Sequence, residues 1–218
     1  SESVRAIFGA DHVSSGTVKM GGKPVVQRLF DKNHAWKGNG LDCLIPHGIF
    51  TGLIGCPFIC PDMIGGGEWT AFVYGKHDEE LFIRMAEASA LFPMMQFSSL
   101  PWRHLSPKAV QVCKEMAELH EQMYPEIEQA LEETEHIGEP MIRSMEYAYP
   151  GCGYERINDQ FLLGENILVA PVVEKGARAR RVIFPQGVWQ NEAGRLYEGP
   201  TEAVLEAPLE KLLWFRRA

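Results

Sequence analysis

Apolar, β-prone runs alternate with helical patterns along the first 138 residues, and this alternation limits the possible folds more than any other feature of the sequence. Three of these runs are predicted strands: Val25–Phe30, Cys56–Ile59 and Met94–Phe97. Buried strands that alternate with helices form parallel sheets, so the sequence predicts an α/β fold whose functional residues follow the carboxyl ends of the strands. The eight-stranded α/β barrel is one such fold, but a complete barrel takes about 250 residues. We therefore expect this chain to hold only the last portion of a barrel.

The stretches between the predicted strands carry helix start and stop signals. Leu41–Ile54 has apolar residues at helical spacing. Asp78, followed by two glutamates, places negative charge at the start of a second helix, which ends at Pro93. Ser106 is a predicted N-cap, followed by proline at the first helical position, and Pro125 is expected to break the helix that they open.

Beyond residue 138 the pattern predicts β structure alone. Three apolar runs are predicted strands with no helix between them: Ile167–Val173, Val182–Phe184 and Leu212–Phe215. Pro185–Gly187 is a predicted turn. The sequence therefore divides near residue 138 into an alternating α/β part and a β part.

Charge and cysteine usage disfavour several kinds of partner. The 29 acidic and 21 basic residues give a net charge of −8, which argues against nonspecific binding to nucleic acid or to an anionic membrane. Prolines and glycines interrupt the longest uncharged run, Asp42–Asp62, so we expect no spanning helix there. The five cysteines lack zinc-ligand spacing, and we expect no metal. Because the sequence starts at Ser1 without a Met or a targeting segment, we expect a piece of a longer protein.

Two carboxylates directly follow predicted strands: Asp31 comes after the first strand and Asp62 after the second. Parallel strands bring such residues to one edge, and a sugar hydrolase needs two carboxyl groups around the scissile bond, one of which protonates the leaving oxygen. The structural alternatives are that Asp31 is an N-cap or turn residue before Asn33 and that Asp62 opens an Asx-turn. His34 is a second candidate for a general base near Asp31.

Aromatic and polar residues near the strand ends extend this pattern. A tryptophan lies within a few residues of each strand end, at Trp36, Trp69 and Trp102, and indole rings pack against the C–H faces of sugars. Gln96 and Ser98 follow the third strand, and both side chains are able to hydrogen-bond sugar hydroxyls. Core packing of the indoles and hydrogen bonding to backbone ends are the alternative explanations.

Four segments occur in this order along the chain: GCPFICPDMIGG (Gly55–Gly66), EELFIRMAEASALFPMMQFS (Glu79–Ser98), DQFLLGENILVAPVVEKG (Asp159–Gly176) and VIFPQGVW (Val182–Trp189). Together they resemble the C-terminal half of glycoside hydrolase family 31. A fifth segment, SLPWRH (Ser99–His104), resembles the branch of that family that includes myogenesis-regulating glycosidase. The resemblance covers roughly residue 18 to the end of the chain.

The resemblance implies a retaining α-glycosidase that acts on α-galactosides or α-glucosides, built as a (β/α)8 TIM barrel followed by an all-β sandwich domain. Residues 1–138 then form the C-terminal part of the barrel, and residues 139–218 form the sandwich. In the family, four residues separate the acid/base Asp from a Trp; Asp31 and Trp36 have that spacing, so Asp31 is the implied general acid/base. The implied ligand is a small carbohydrate, with no cofactor, no nucleic acid and no membrane contact.

Departures from the family pattern affect the sugar pocket. Gly66 replaces the usual Phe, and Ser98 stands where many members have a substrate-binding His. The branch tends to have an Arg upstream of the acid/base that reaches the sugar, and the basic residue predicted for this place is Lys19. Lysine does not reproduce the two-pronged donor geometry of arginine. The predicted substrate contacts are Trp36, Asp62, Gln96, Ser98, Trp102 and Lys19.

The family's nucleophilic Asp belongs to an earlier barrel strand, which would precede Ser1. A retaining mechanism needs that carboxylate to form the glycosyl-enzyme intermediate. We therefore expect the 218 residues alone to be inactive. The alternative function is that of a catalytically silent family homologue that binds carbohydrate or a protein partner.

Overall fold

The computed structural model of this chain describes residues 27–66, 77–97 and 100–218. The described helices are α1 (Leu44–Leu53), α2 (Glu79–Ala90), α3 (Pro107–Gln122), α4 (Tyr124–Ile137) and α5 (Met145–Ala148), with 3-10 turns at Leu41–Cys43 and Pro101–Arg103. The strands are β1 (Gln27–Arg28), β2 (Ile59–Cys60), β3 (Ile142–Arg143), β4 (Phe161–Leu163), β5 (Ile167–Val169), β6 (Ala179–Gln190), β7 (Leu196–Glu206) and β8 (Trp214–Arg217). Every helix in these ranges is too short or too polar to span a bilayer.

The first two strands pair in parallel, as the sequence predicts. Gln27 in β1 lies opposite Ile59 in β2. The third predicted strand continues the parallel arrangement through a single bridge between Ile64 and Phe97, and the Met94 N–H donates to the Ile59 carbonyl at 3.2 Å. Residues that follow β1 and β2 therefore lie at one common edge.

Local capping rules explain where the longer helices begin and end. Ser106 accepts a hydrogen bond from the Ala109 N–H, so the predicted N-cap is confirmed. Asp78, predicted as a charge at the helix start, is itself an N-cap and accepts from the Leu81 N–H at 3.2 Å. The break predicted at Pro125 is present, because α3 ends at Gln122 and α4 begins at Tyr124. The chain bends at Met123, and Pro125 falls in the first turn of α4, where its missing N–H is not required.

The C-terminal residues form one six-stranded antiparallel sheet in the order β3-β4-β5-β8-β6-β7. The turn predicted at Pro185–Gly187 is wrong, because β6 continues through these residues with a bulge between Phe184 and Gly187. The bulge requires glycine at position 199 of the neighbouring strand β7, because a side-chain carbon there would lie only 1.9 Å from the Pro185 carbonyl oxygen. The expectation of no helix is also corrected: Ser144 caps the one-turn helix α5 ahead of β4.

The two faces of the sheet pack against different partners. Phe161 of β4 shares a core with the helices, whereas its neighbour Leu162 shares a core with Phe184 and Trp189 of β6. The rings of Phe184 and Phe215 lie 4.8 Å apart although β6 and β8 pair only near Trp189. A flat sheet would hold these rings far apart, so the sheet folds over itself. The structure thus has one continuous antiparallel sheet that packs on itself, and the separate β-sandwich domain stays a prediction.

A buried ion pair joins α2 to the C-terminal sheet. Arg84 and Glu87 have fully buried side chains, and Arg84 Nη1 lies 2.7 Å from Glu87 Oε2. The same guanidinium donates to the backbone carbonyls of Ala177, Ala207 and Pro208 at 3.1, 2.8 and 3.2 Å. The Ala177 carbonyl precedes β6, and the Ala207 and Pro208 carbonyls follow β7. Arg84 therefore joins α2 to the open end of the β6–β7 hairpin, where these two strand ends pair.

Glu87 makes the stability of the chain depend on pH. Burial raises the pKa of Glu87 to about 7, although the charge of Arg84 opposes the shift. Because the folded-state pKa lies above that of the unfolded chain, this contribution is fully present below the unfolded pKa of about 4.5 and is lost as pH rises through about 7. We expect Glu87→Gln to remove this pH dependence, which amounts to at most about 3 kcal/mol.

The measurement is urea unfolding of both proteins from pH 5 to pH 8, with Glu118→Gln as the control. Glu118 also pairs with a cation on a helix, but 47% of its side chain is exposed. The free energy of unfolding of the unmodified and control proteins should fall relative to Glu87→Gln as pH rises. Parallel curves for all three proteins would contradict the assignment to Glu87.

Candidate active site

Arg28, the last residue of β1, lies between the two candidate carboxylates. Its Nη2 pairs with Asp31 Oδ1, and its Nη1 pairs with Asp62 Oδ1. This arrangement follows from the fold, because β1 and β2 are parallel neighbours whose following residues share one edge. One guanidinium thus bridges the two carboxylates that follow these neighbouring strands.

Asp62 lies buried beneath this edge. Its side chain has no exposed surface, and its backbone has a φ of +104°, a conformation that non-glycine residues rarely adopt. Its second carboxylate oxygen accepts a hydrogen bond from the Lys32 N–H at 2.7 Å. Burial raises the pKa of Asp62, although the Lys32 and Met63 N–H groups and the charge of Arg28 act in the opposite direction. Asp62 is thus placed to orient Arg28 and the start of the following loop.

Asp31 is the accessible member of the pair. Its side chain is 57% exposed, whereas that of Asp62 is shielded completely. The Asn39 side-chain amide donates to the Asp31 carbonyl at 2.8 Å, so the backbone at Asp31 is tied to the loop that follows it. An exposed carboxyl group on a fixed backbone suits proton transfer to a bound ligand.

Lys32 is a buried cation next to these carboxylates. Its Nζ donates to the Phe30 carbonyl at 2.6 Å, and its side chain is fully enclosed. Burial lowers the pKa of Lys32, and the attraction of Asp62 only partly offsets this. The Lys32 side chain is therefore enclosed near the charge of Asp62 and does not reach solvent.

Trp36 and His34 both contact Asp78 at the start of α2. The Trp36 indole N–H donates to Asp78 Oδ2 at 3.1 Å, and the Asp78 backbone N–H donates to His34 Nε2 at 3.0 Å. That hydrogen bond occupies the lone pair which His34 Nε2 would use as a base. The geometry therefore favours Asp31 over His34 for proton transfer.

The rings of His34, His77 and His104, which belong to three separate segments of the chain, lie close together. The ring centres of His34 and His77 lie 5.1 Å apart, and those of His77 and His104 lie 4.5 Å apart. Burial, with smaller effects from its two neighbours, lowers the pKa of His77. Across residues 27–66, 77–97 and 100–218, no group of three or more His, Cys, Asp and Glu side chains is placed to hold a metal ion.

The remaining predicted site residues have varied positions. Gln96 is half-buried and its Oε1 accepts from the Cys60 thiol at 3.7 Å. Trp102 lies in the 3-10 turn with 66% of its surface exposed. Lys19, Ser98 and Trp69 fall outside the described residues.

Sequence reasoning missed Arg28 and instead took Lys19 as the basic residue upstream of Asp31. Arg28 is the cation that the structure places at the carboxylates. A signal was present, because a cation in an otherwise apolar strand requires a buried or partly buried partner. The histidine group had no such signal, since its members are spread over 71 positions from 34 to 104.

Residues 138–218 match the family model described as the glycosyl hydrolase family 31 C-terminal domain. A relative with a much longer overlap extends the match toward the amino terminus: myogenesis-regulating glycosidase of Mus musculus is 34% identical over 191 residues. The chain belongs to glycosyl hydrolase family 31. The overlap with the mouse protein covers 84% of this chain and 26% of that relative.

Two further family 31 comparisons cover a similar share of the chain. The SITS-binding protein of Tetronarce californica is 32% identical over 183 residues, which are 82% of this chain and 26% of that protein. A solved family 31 dextranase of Flavobacterium johnsoniae, in complex with isomaltotriose, superposes with a TM-score of 0.72 at 25% identity, covering 84% of this chain and 23% of that one. The chain thus spans about a quarter of the length of these family 31 relatives.

Proposed function

We propose that the complete protein containing this chain is a retaining α-glycosidase in which Asp31 is the general acid/base. The observation that carries the proposal is the exposed carboxyl group of Asp31, paired with Arg28 at the edge where parallel strands β1 and β2 end. In this proposal residues 1–138 supply the last part of a (β/α)8 barrel and residues 139–218 a β-sandwich domain.

In the first step Asp31 protonates the glycosidic oxygen while a second carboxylate attacks the anomeric carbon and the leaving alcohol departs. In the second step Asp31 accepts a proton from water, which attacks the anomeric carbon and breaks the bond to the enzyme. The two carboxyl groups of such a pair stand about 5–5.5 Å apart. Asp62 is an unsuitable partner, because its side chain has no surface exposed to a ligand. The proposal therefore assigns the nucleophile to the part of the protein outside these residues.

α-Glucosides and α-galactosides are the proposed substrate class. The dextranase that this chain resembles was solved with isomaltotriose, which supports α-glucosides as substrates. Trp36, Gln96 and Trp102 are the proposed substrate contacts among the described residues, and Lys19 and Ser98 complete the set. Asp62, predicted as a further contact, has no exposed side-chain surface, so its proposed role is to orient Arg28.

The second candidate function is a silent homologue that binds carbohydrate or a protein partner. Gly66 favours it, because the residue has a φ of +93° and an added side-chain carbon would lie 3.0 Å from the His34 backbone nitrogen. The Phe side chain that family members usually have at this position does not fit this backbone. A curated relative, the SITS-binding protein, is also named for binding rather than for hydrolysis.

The experiment is an assay of the complete protein on 4-nitrophenyl α-glucoside and α-galactoside, with the matching β-glycosides as controls. We expect turnover of at least one α-glycoside and of neither β-glycoside. Folded protein that binds an α-glycoside without turning it over would support the silent homologue instead. The isolated 218-residue chain should turn over none of the four substrates.

A further inference from the structure

Asp78 connects three separate parts of the chain through one carboxylate. Its Oδ1 accepts from the Leu81 N–H at the start of α2, at 3.2 Å. Its Oδ2 accepts from the Trp36 indole at 3.1 Å and from Lys175 Nζ of the C-terminal region at 2.8 Å. Its backbone N–H donates to His34 Nε2 at 3.0 Å. A residue that served only as an N-cap would need just the first of these contacts.

The segment around Lys175 makes further contacts with the same surface. Lys37 Nζ lies 2.7 Å from Glu174 Oε1, and the Gly176 N–H donates to Glu80 Oε1 at 3.0 Å. Arg178 pairs with Glu80 as well, at 2.5 Å. Residues 174–178 of the C-terminal region therefore lie against both the start of α2 and the loop that carries Trp36.

The Trp36 loop, residues 33–42, is in turn tied to Asp31. The Asn33 N–H donates to the Asn39 carbonyl at 2.8 Å, and the Asn39 side chain donates to the Asp31 carbonyl at 2.8 Å. The Leu41 N–H closes the loop on Ala35 at 2.9 Å. A change in the position of Trp36 is thus passed through a few hydrogen bonds to the backbone that carries Asp31.

We propose that Asp78 is a positioning residue through which the C-terminal region holds the Trp36 loop and, with it, Asp31 in the geometry that catalysis requires. This inference rests on the proposed function of Asp31. It gives the C-terminal region a role in the reaction, because Lys175 holds the carboxylate oxygen that anchors Trp36. Reacting groups must be held to within about 0.5 Å, so a modest loosening of this loop is sufficient to slow the chemistry.

The charge of Asp78 is suited to this role. Burial alone would raise the pKa of Asp78, but the hydrogen bonds from Lys175, Trp36 and the Leu81 N–H outweigh burial and lower it. Asp78 therefore remains ionised at neutral pH, and its two oxygens stay available as acceptors. Hydrogen bonds to a charged acceptor are stronger than neutral ones, which suits a residue that fixes a tryptophan.

The test compares Asp78→Asn and Lys175→Ala with the control Lys37→Ala in the complete protein. Asparagine is a good N-cap, so its carbonyl oxygen still serves the Leu81 N–H. Its amide group then faces the Trp36 indole and Lys175, both of which are donors and lose their acceptor. Lys37→Ala removes an ion pair between the same loop and the same C-terminal segment without touching Asp78.

The first measurement is amide hydrogen exchange in residues 33–42, which needs no activity. We expect exchange in Asp78→Asn to be about tenfold faster than in the unmodified protein, and Lys175→Ala to lie in between, because a charge-assisted hydrogen bond is lost. Lys37→Ala should differ less than twofold. Unmodified exchange in Asp78→Asn would overturn the proposal, since it would reduce Asp78 to an N-cap.

The second measurement separates kcat from KM on an α-glycoside. We expect Asp78→Asn to lower kcat about tenfold with a smaller change in KM, because Asp31 is displaced relative to the bound sugar. Faster exchange combined with an unchanged kcat would also overturn the proposal. If the unmodified protein turns over no glycoside, the proposed function of Asp31 fails, and the exchange result still decides whether Asp78 holds the loop.

Discussion

Replacing Asp31 with Asn in the complete protein should lower kcat/KM on α-glycosides with alkyl leaving groups by about 10²–10⁴-fold, the usual contribution of general acid/base catalysis. The asparagine amide keeps the size of the carboxyl group and can neither give nor accept the catalytic proton. Asp31 is the exposed carboxylate at the strand edge, whereas the side chain of Asp62 has no exposed surface. Asp62 is therefore unable to take over the role.

The leaving group provides an internal check on this prediction. A 2,4-dinitrophenolate leaves without protonation, so the first step with this substrate should be nearly unaffected by Asp31→Asn. Glu202→Gln is the matched control, because Glu202 is also an exposed carboxylate paired with an arginine, with 59% of its side chain exposed, but it belongs to β7 and not to the ends of β1 and β2. Equal losses on both leaving groups, or no loss on alkyl glycosides, would exclude Asp31 as the acid.

Replacing Arg84 with Met should lower the free energy of unfolding by about 3–5 kcal/mol at neutral pH, because removing one partner of a buried ion pair leaves the other uncompensated. Methionine retains much of the volume of Arg84 and supplies no donor. The carbonyls of Ala177, Ala207 and Pro208 lose their donor at the same time as Glu87. The consequence is a weakened junction between α2 and the β6–β7 hairpin.

Urea unfolding measures this effect, and Arg178→Met is the control. Arg178 also pairs with a glutamate of α2, but 48% of its side chain is exposed, and exposed pairs contribute only about 0–1 kcal/mol. The double variant Arg84→Met with Glu87→Leu should recover part of the loss, because no buried carboxylate then lacks a partner. A loss for Arg84→Met no larger than that of the control would contradict the role assigned to the pair.

Features governed by neighbouring residues were predictable from the sequence. Asp78 and Ser106 cap helices because a short polar side chain meets N–H groups three residues later, and no distant contact is needed. Parallel pairing of the first strands followed from strand and helix alternation, and it brought Asp31 and Asp62 together through Arg28. Secondary-structure patterns thus predicted the edge on which the candidate site lies.

Features that depend on distant partners were not predictable in this way. Pro185–Gly187 has the composition of a turn, yet it continues as a bulged strand because Gly199 on the partner strand admits the Pro185 carbonyl. The four contacts of Asp78 come from segments up to 97 positions away. Its position at the start of a helix is therefore predictable from the sequence, but its hydrogen bond to Trp36 is not. Buried pairs such as Arg84 and Glu87 likewise show only as charges on a helix.

The stereochemistry of the first product tests the proposed function most directly. The complete protein is mixed with an α-glucoside or α-galactoside that it turns over, and the released sugar is followed by proton NMR before its anomers equilibrate. A retaining mechanism with Asp31 as acid/base and a separate carboxylate as nucleophile predicts that the α-anomer appears first. Initial release of the β-anomer would contradict the account, since it would mean a single displacement by water with inversion.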